Sequence, residues 1–100
     1  MKESVIAEIK ILPIGTPTPS LSRYIAACVN TIKQSKGFTY SVTAMGTIVQ
    51  GQLPQVLELA ERVHEIPFTL GVQRVVTTIY IDDRRDKAAT IESKVKAVTT

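Results

Sequence analysis

The segment VQRVVTTIYIDDRRDK, residues Val72–Lys87, decides the fold. It follows Gly71, continues through β-branched residues and Tyr80, and ends in mixed charges, a pattern typical of a long strand with a defined end. We expect the strand to span Val72–Ile81. Alternation gives it two faces: Val75, Thr77, Ile79 and Ile81 on one, and Arg74, Val76, Thr78 and Tyr80 on the other. Because both faces are largely apolar, we expect helices on the first face and a second copy of the protein on the other.

The composition is that of an ordinary globular protein. The chain of 100 residues is 44% apolar and 21% charged, which predicts one domain, 1–100, with a single core. The net charge of +3 comes from basic residues interleaved with acidic ones. This distribution argues against a nucleic-acid partner and against a polybasic membrane patch.

The cysteine and histidine content limits the chemistry. One cysteine and one histidine exclude a disulfide framework and a Cys/His zinc site within one chain. Glu3 and Glu8 interrupt the start of the chain where a signal peptide would be apolar, and no segment reaches the roughly 18 apolar residues of a membrane span. We therefore expect a cytoplasmic protein without membrane contact, metal or cofactor.

Before the predicted strand Val72–Ile81, the periodicity of the sequence predicts another strand and a helix. Val5–Leu12 alternates and predicts a first strand, which Pro13 ends. Ser20–Ser35 shows helical spacing, with Thr18 or Ser20 as its cap. The strand's core face would carry Val5, Ala7, Ile9 and Ile11, and the helix stripe would carry Leu21, Ile25, Cys28, Val29 and Ile32. We expect Cys28 to be a packed core thiol; a reactive nucleophile is the alternative, which no neighbouring residue in the sequence supports.

The middle of the chain predicts a hairpin and a second helix. Phe38–Thr43 and Thr47–Gln50 flank Ala44-Met45-Gly46, and we expect Gly46 to supply unusual backbone angles in the turn. A helix over Leu53–Glu65 would stop before Pro67. That places His64 in its last turn, either as a partner of the helix dipole or, alternatively, as a ligand contact. Near the end of the chain, Thr90 can cap a short helix with an apolar stripe of Ile91, Val95 and Val98.

The resulting order, β-α-β-β-α-β with a short C-terminal helix, predicts an α+β, ferredoxin-like sandwich with an antiparallel sheet. An open sheet with helices on both faces is the alternative, and the hairpin argues against it. The face away from the helices would carry Ile6, Leu12, Val76 and Tyr80 beside Glu8, Lys10 and Arg74. Such a face favours packing of copies. Glu8 would then pair with Lys10 or Arg74, or face a ligand.

No catalytic triad, phosphate-binding glycine loop or metal motif is present in the sequence. Asp82-Asp83 is a poor metal site because adjacent strand residues point to opposite faces and two arginines follow.

Four segments together resemble one family. They are PIGTPTPSLSRYIA from Pro13, TAMGTIVQG from Thr43, HEIPF from His64 and GVQRVVTTIYIDDRRDK from Gly71. The combination resembles the small YkoF-like thiamine-binding proteins, long catalogued as uncharacterised, and covers nearly the whole chain. The resemblance implies a ferredoxin-like protomer, a homotetramer of sheet-packed dimers, and binding of thiamine or its hydroxymethylpyrimidine part without chemistry.

Thiamine needs a partner for a cationic thiazolium and polar groups for an aminopyrimidine. With that ligand in view, the candidate binding residues are Glu8 as counter-charge, Tyr40 and Tyr80 as aromatic neighbours, Thr43, Met45, Gly46 and Thr47 around the hairpin, and Ser20 and Ser22 at the first helix. A small-molecule-sensing regulatory module acting on a partner protein is the alternative function. An enzyme using a cleft between subunits is a third, without named catalytic residues.

Overall fold

Four strands and three helices follow one another in the predicted order in the computed structural model, which describes residues 4–99. The strands are β1 (Ser4–Ile14), β2 (Thr39–Val42), β3 (Thr47–Gln52) and β4 (Arg74–Asp82); the helices are α1 (Ser22–Gln34), α2 (Leu53–Thr69) and α3 (Ile91–Thr99). The sheet order is β2-β3-β1-β4, with every neighbouring pair antiparallel. The predicted ferredoxin-like α+β fold is confirmed. No helix within residues 4–99 is long and apolar enough to cross a bilayer.

The core lies between the sheet and the two long helices. β1 contributes the four apolar residues predicted for its buried face, and α1 and α2 cover them. The buried cluster comprises Val5, Ala7, Ile9, Ile11, Cys28, Ile32, Val49, Val56, Leu59, Ala60 and Val63. β1 continues past the predicted end at Leu12, through Pro13 to Ile14.

The residues of β4 alternate between two faces as predicted, but the helices cover the first face only in part, since Ile79 and Ile81 are 36% and 41% exposed. Ile79 pairs with the core residue Ile9, and Tyr80 pairs with Glu8 on the other face. The strand begins at Arg74, two residues later than expected. The reason is that the Val72 amide donates to the Pro67 carbonyl (3.1 Å) and closes the end of α2.

Helix α2 continues through Pro67 to Thr69, so the predicted stop before Pro67 is wrong. A proline inside a helix has no N–H for the carbonyl four residues earlier. That carbonyl, of Val63, instead accepts a hydrogen bond from the Cys28 thiol on α1, with Sγ and O 3.6 Å apart. His64 is consequently not in the last turn; its Nδ1 lies 2.6 Å from the Thr77 hydroxyl on β4.

The helix starts differ from one another. The N-cap of α1 is Leu21, without a side-chain cap, so neither Thr18 nor Ser20 caps it as predicted. At α3 the predicted cap is confirmed: the Ser93 amide donates to the Thr90 hydroxyl and the Thr90 amide donates to the Ser93 hydroxyl, both at 2.9 Å. The Ile91 amide also donates to the side chain of Gln50 (2.9 Å), which ties α3 to β3.

Candidate functional site

The sheet has a notch beside its central strand. Pairing between β1 and β3 ends at Ile9 and Thr47, whereas pairing between β1 and β4 continues to Ile14 and Arg74. Residues 10–14 of β1 therefore have a strand neighbour on one side only. On the other side lie the hairpin turn, 43–46, and the start of α1.

A cavity of about 420 Å³ lies at this notch, between β1, the hairpin and the start of α1. It is lined by Ile9, Lys10, Ile11, Leu12, Leu21, Ile25, Cys28, Ile32, Val42, Thr43, Ala44, Met45, Gly46, Thr47 and Val63. Its volume falls in the range of roughly 300–1,000 Å³ typical of small-molecule sites. Most of the lining residues are apolar; Thr43, Thr47 and Lys10 are the polar or charged ones.

The hairpin turn is held by one threonine. The Thr43 hydroxyl accepts from the amides of Met45 and Gly46, both at 3.2 Å, and donates to the Gly46 carbonyl at 2.9 Å. The Thr43 amide donates to the same carbonyl, also at 2.9 Å. This hydroxyl is therefore committed to the turn.

Gly46 is required for close approach rather than for unusual backbone angles. Positive φ occurs among the described residues at Gly15, Gly37 and Gly71, and not at Gly46, so the predicted role is wrong. A Cβ at Gly46 would lie 3.1 Å from Lys10 Cγ, 3.2 Å from the Ile9 carbonyl oxygen and 3.3 Å from Glu8 Cγ. The turn thus packs directly on the edge of β1.

Thr47 is the polar side chain of the cavity that lacks a protein partner. The residue is only 6% exposed, yet its hydroxyl makes no hydrogen bond within residues 4–99. The oxygen is not fully enclosed, and the residue lines the cavity. Since buried polar groups are normally paired, this hydroxyl is available to a ligand.

Cys28 forms part of the cavity wall and is chemically quiet. Burial raises the pKa of its thiol to about 11, because the apolar surroundings disfavour the thiolate. At neutral pH the thiol stays protonated and donates to Val63. The predicted packed core thiol is confirmed.

A second group of predicted residues lies on the opposite face of the sheet. Glu8 and Tyr80 are paired in register, and Glu8 forms an ion pair with Lys10 at 3.5 Å. The Lys10 ammonium lies 5.8 Å from the centre of the Tyr80 ring. Glu8 already has a cationic partner here, and it is not among the residues that line the cavity.

The remaining predicted residues lie outside the cavity lining. Tyr40 pairs with Val49 on the edge strand β2. Ser20 and Ser22 are exposed, with their hydroxyls 3.2 Å apart, and flank Leu21, which does line the cavity. Sequence reasoning missed Ile11, Leu21, Ile25 and Cys28 as cavity residues. Pro13 was the available signal, because a proline within a sheet strand indicates a place where no ladder hydrogen bond is donated.

The charged residues at and just after the end of β4 form ion pairs. Asp82 pairs with Lys94 of α3 (2.6 Å), Asp83 with Arg85 (2.7 Å) and Asp86 with Arg84 (2.6 Å). The Arg84 guanidinium lowers the pKa of Asp86 to about 2. Within residues 4–99 no group of three or more His, Cys, Asp or Glu is placed to hold a metal ion.

The fold and the notch define a small ferredoxin-like protein with an apolar cavity of small-molecule size. The chain belongs to the thiamine-binding protein family, whose sequence profile matches residues 7–99. It is similar to UPF0045 protein YqgV of Bacillus subtilis (strain 168), with 44% identity over 96 residues, 93% of this chain and 92% of the relative. The predicted family resemblance is confirmed.

Solved structures agree with the fold. Protein MJ1052 of Methanocaldococcus jannaschii has a TM-score of 0.86 and 34% identity, covering 96% of each chain. A Thermotoga maritima protein provisionally assigned to thiamine biosynthesis or salvage has a TM-score of 0.77. It covers 94% of this chain and 97% of its own, but its 24% identity supports the fold alone.

Proposed function

We propose that the protein binds thiamine or its hydroxymethylpyrimidine part in the cavity beside the hairpin, without converting it chemically. Membership of the thiamine-binding family supports the ligand class. The observation that carries the location is the hydroxyl of Thr47, a residue only 6% exposed, which lines the cavity and makes no hydrogen bond within residues 4–99. A ligand with a hydrogen-bonding ring would satisfy it.

The cavity favours the pyrimidine half of the vitamin. Its lining contains no carboxylate, and the ammonium of the lining residue Lys10 lies on the open face with Glu8 and Tyr80. A thiazolium in the same space would be desolvated without a counter-charge. The pyrimidine is planar and neutral, so we place it against Ile11, Leu21 and Ile25 and leave the thiazolium at the mouth. Thr43, Met45 and Gly46 would contact the ring as the turn that closes over it.

Glu8 and Tyr80 belong to a different part of the proposal. Both lie on the open face, where Leu12 and Val76 are also exposed. We propose that a second copy packs on this face, as expected for a tetramer of sheet-packed dimers. The counter-charge role of Glu8, the ring contacts of Tyr40 and Tyr80, the ligand contacts of Ser20 and Ser22, and the cytoplasmic location stay predictions.

Calorimetry with hydroxymethylpyrimidine, thiamine and a panel of amino acids tests the ligand. We expect saturable binding of the pyrimidine, and a roughly ten-fold weaker affinity in Thr47→Val, since one hydrogen bond is worth about 1 kcal/mol. Thr78→Val is the matched control because Thr78 lies on the open face of β4. Its affinity should equal that of the wild type.

Other outcomes would contradict the proposal. Binding of amino acids alone would favour a regulatory module, and turnover of thiamine would favour an enzyme. The Glu8→Gln variant distinguishes contacts to the thiazolium from contacts to the pyrimidine. A loss confined to thiamine would place the thiazolium near Glu8, whereas unchanged affinities for both compounds would remove Glu8 from the site.

A further inference from the structure

The direction of the main-chain groups of β1 follows from two observations at the notch. In a strand, the N–H and C=O of alternate residues point to the same neighbouring strand. The Ile9 carbonyl oxygen lies 3.2 Å from the position of a Cβ on Gly46, so it points toward the hairpin. Residues 9, 11 and 13 therefore direct their main-chain groups to the notch, and residues 10 and 12 direct theirs to β4.

Pro13 supports the same assignment independently. It pairs with Val75 of β4 although it has no N–H to donate to that strand. A proline is tolerated in a sheet where its missing N–H would face away from a ladder. Pro13 thus faces the notch, as alternation from Ile9 requires.

Ile11 is left with an unpaired N–H and C=O at the cavity. Its ladder neighbour on the hairpin side would be Met45, which lies in the turn that precedes β3. No turn, loop or side-chain group within residues 4–99 hydrogen-bonds to its main chain. Ile11 is nevertheless 91% buried (9% exposed) and lines the cavity. Buried main-chain groups are almost always paired, so this pair calls for a partner.

We infer that the main chain of Ile11 is the specificity-determining group of the site. Its N–H donates to a ring nitrogen of the ligand, and its C=O accepts from the adjacent exocyclic amine. A planar heteroaromatic ring with an acceptor next to a donor, such as a 4-aminopyrimidine, can pair with the N–H and C=O of Ile11 in the way that a neighbouring strand would. The inference rests on the proposed function and assigns selectivity to the backbone rather than to Thr43 or Thr47.

Amide hydrogen exchange of ¹⁵N-labelled protein tests the inference, with built-in controls. Without ligand, we expect the Ile11 amide to exchange faster than those of Lys10 and Leu12, which face β4. With hydroxymethylpyrimidine at about 100 times its Kd, exchange of Ile11 should slow by up to about 100-fold. Lys10 and Leu12 should change much less. A bound complex in which Ile11 exchanges at its free rate would overturn the inference while leaving the proposed function intact.

A ligand analogue tests the acceptor without altering the protein. Replacing the exocyclic amine of hydroxymethylpyrimidine by methyl keeps the size and removes the donor, so we expect about ten-fold weaker binding. The same loss should persist in Thr47→Val. If the loss disappears in that variant, Thr47 reads the amine and the inference is wrong. No binding of the parent pyrimidine to the wild type would overturn the proposed function, and this inference with it.

Discussion

Gly46 shows how one residue shapes the site without contributing a side chain. Its backbone has an ordinary φ, and the space for a Cβ is occupied by Lys10, Glu8 and the Ile9 carbonyl. Two of these neighbours are flexible side-chain stems, but the carbonyl belongs to the central strand. An added methyl therefore requires the turn and β1 to shift by a few tenths of an ångström relative to each other.

We expect Gly46→Ala to lower the free energy of unfolding by about 1–3 kcal/mol, as overpacking does, and to weaken pyrimidine binding. Gly15→Ala is the control: Gly15 has φ +77 and no atom near a new Cβ, so strain alone lowers stability. Urea denaturation and calorimetry measure both effects. Equal affinity in the two variants would contradict a role for the turn in the site.

Cys28 predicts a pH dependence with a definite sign. Burial raises the pKa of its thiol from the ordinary 9.0 to about 11. Between these values the unfolded chain loses the thiol proton and the folded chain keeps it, so stability falls as pH rises through this window. Relative to Cys28→Ala, the wild type should lose about 1 kcal/mol of unfolding free energy between pH 8.5 and 10. Parallel pH profiles in urea denaturation would show that the thiol ionises equally in both states.

Alternation was sufficient to predict which residues face the core, but not where a ladder ends. The faces of β1 and β4 follow from side-chain periodicity, because burial of one face determines the register. The notch arises because the hairpin turn ends only at Thr47, where β3 begins. Side-chain periodicity does not predict the length of that turn. Pro13 predicts the end of a strand, whereas it lies inside β1.

At the scale of elements, α1 and α2 are coupled through a carbonyl that Pro67 leaves without its helical partner. The sequence predicted that the helix would stop at this proline. It does not stop, because Cys28 on another helix supplies a donor to Val63. Such a contact between residues 35 positions apart is invisible to local rules.

A double-mutant cycle tests this coupling. Cys28→Ala leaves the Val63 carbonyl without a partner, and Pro67→Ala restores an N–H that can donate to it. The double variant should be more stable than the sum of the single effects predicts, by about 0.5–1 kcal/mol in urea denaturation. Ile32→Val combined with Pro67→Ala should instead be additive. Additivity in both pairs would mean that the thiol contributes packing only.

The start of α2 offers a gain in stability. Gln52 has extended N-cap angles (φ −74, ψ 142) but makes no side-chain cap hydrogen bond. An aspartate here can accept from the first-turn amides, so Gln52→Asp should raise the free energy of unfolding by about 0.5–1 kcal/mol. Gln55→Asp adds the same charge within the first turn without a cap. Equal gains in thermal unfolding of the two variants would assign the effect to the helix dipole alone.

At the scale of the whole molecule, the two faces of the sheet differ in what covers them. The helix-covered face contains the core, and the open face carries exposed Leu12, Val76 and Tyr80. Helix α3 is tied to one end of the open face through Gln50 and Asp82, which leaves the Val76 end uncovered. An apolar strand face of this kind favours packing against another copy.

Light scattering after size-exclusion chromatography tests the assembly. We expect the wild type at micromolar concentration to have several times the 10.9 kDa mass of one chain. Val76→Glu, at a residue 42% exposed on the open face, should reduce that mass, because a carboxylate would be buried without a partner. Leu57→Glu, at a residue 47% exposed on α2, should not. A wild-type monomer, or no effect of Val76→Glu, would remove the open face as an interface.

The same variant shows whether the binding site is complete in one chain. The cavity is lined by residues of β1, the hairpin, α1 and α2, and Val76 is not among them. A dissociated Val76→Glu protein should therefore bind hydroxymethylpyrimidine within about two- to three-fold of the wild-type affinity, because none of its cavity contacts has changed. If calorimetry shows that dissociation abolishes binding while circular dichroism shows a folded chain, a partner must supply part of the site. In that case Glu8 and Tyr80, on the face the partner covers, become the first residues to test.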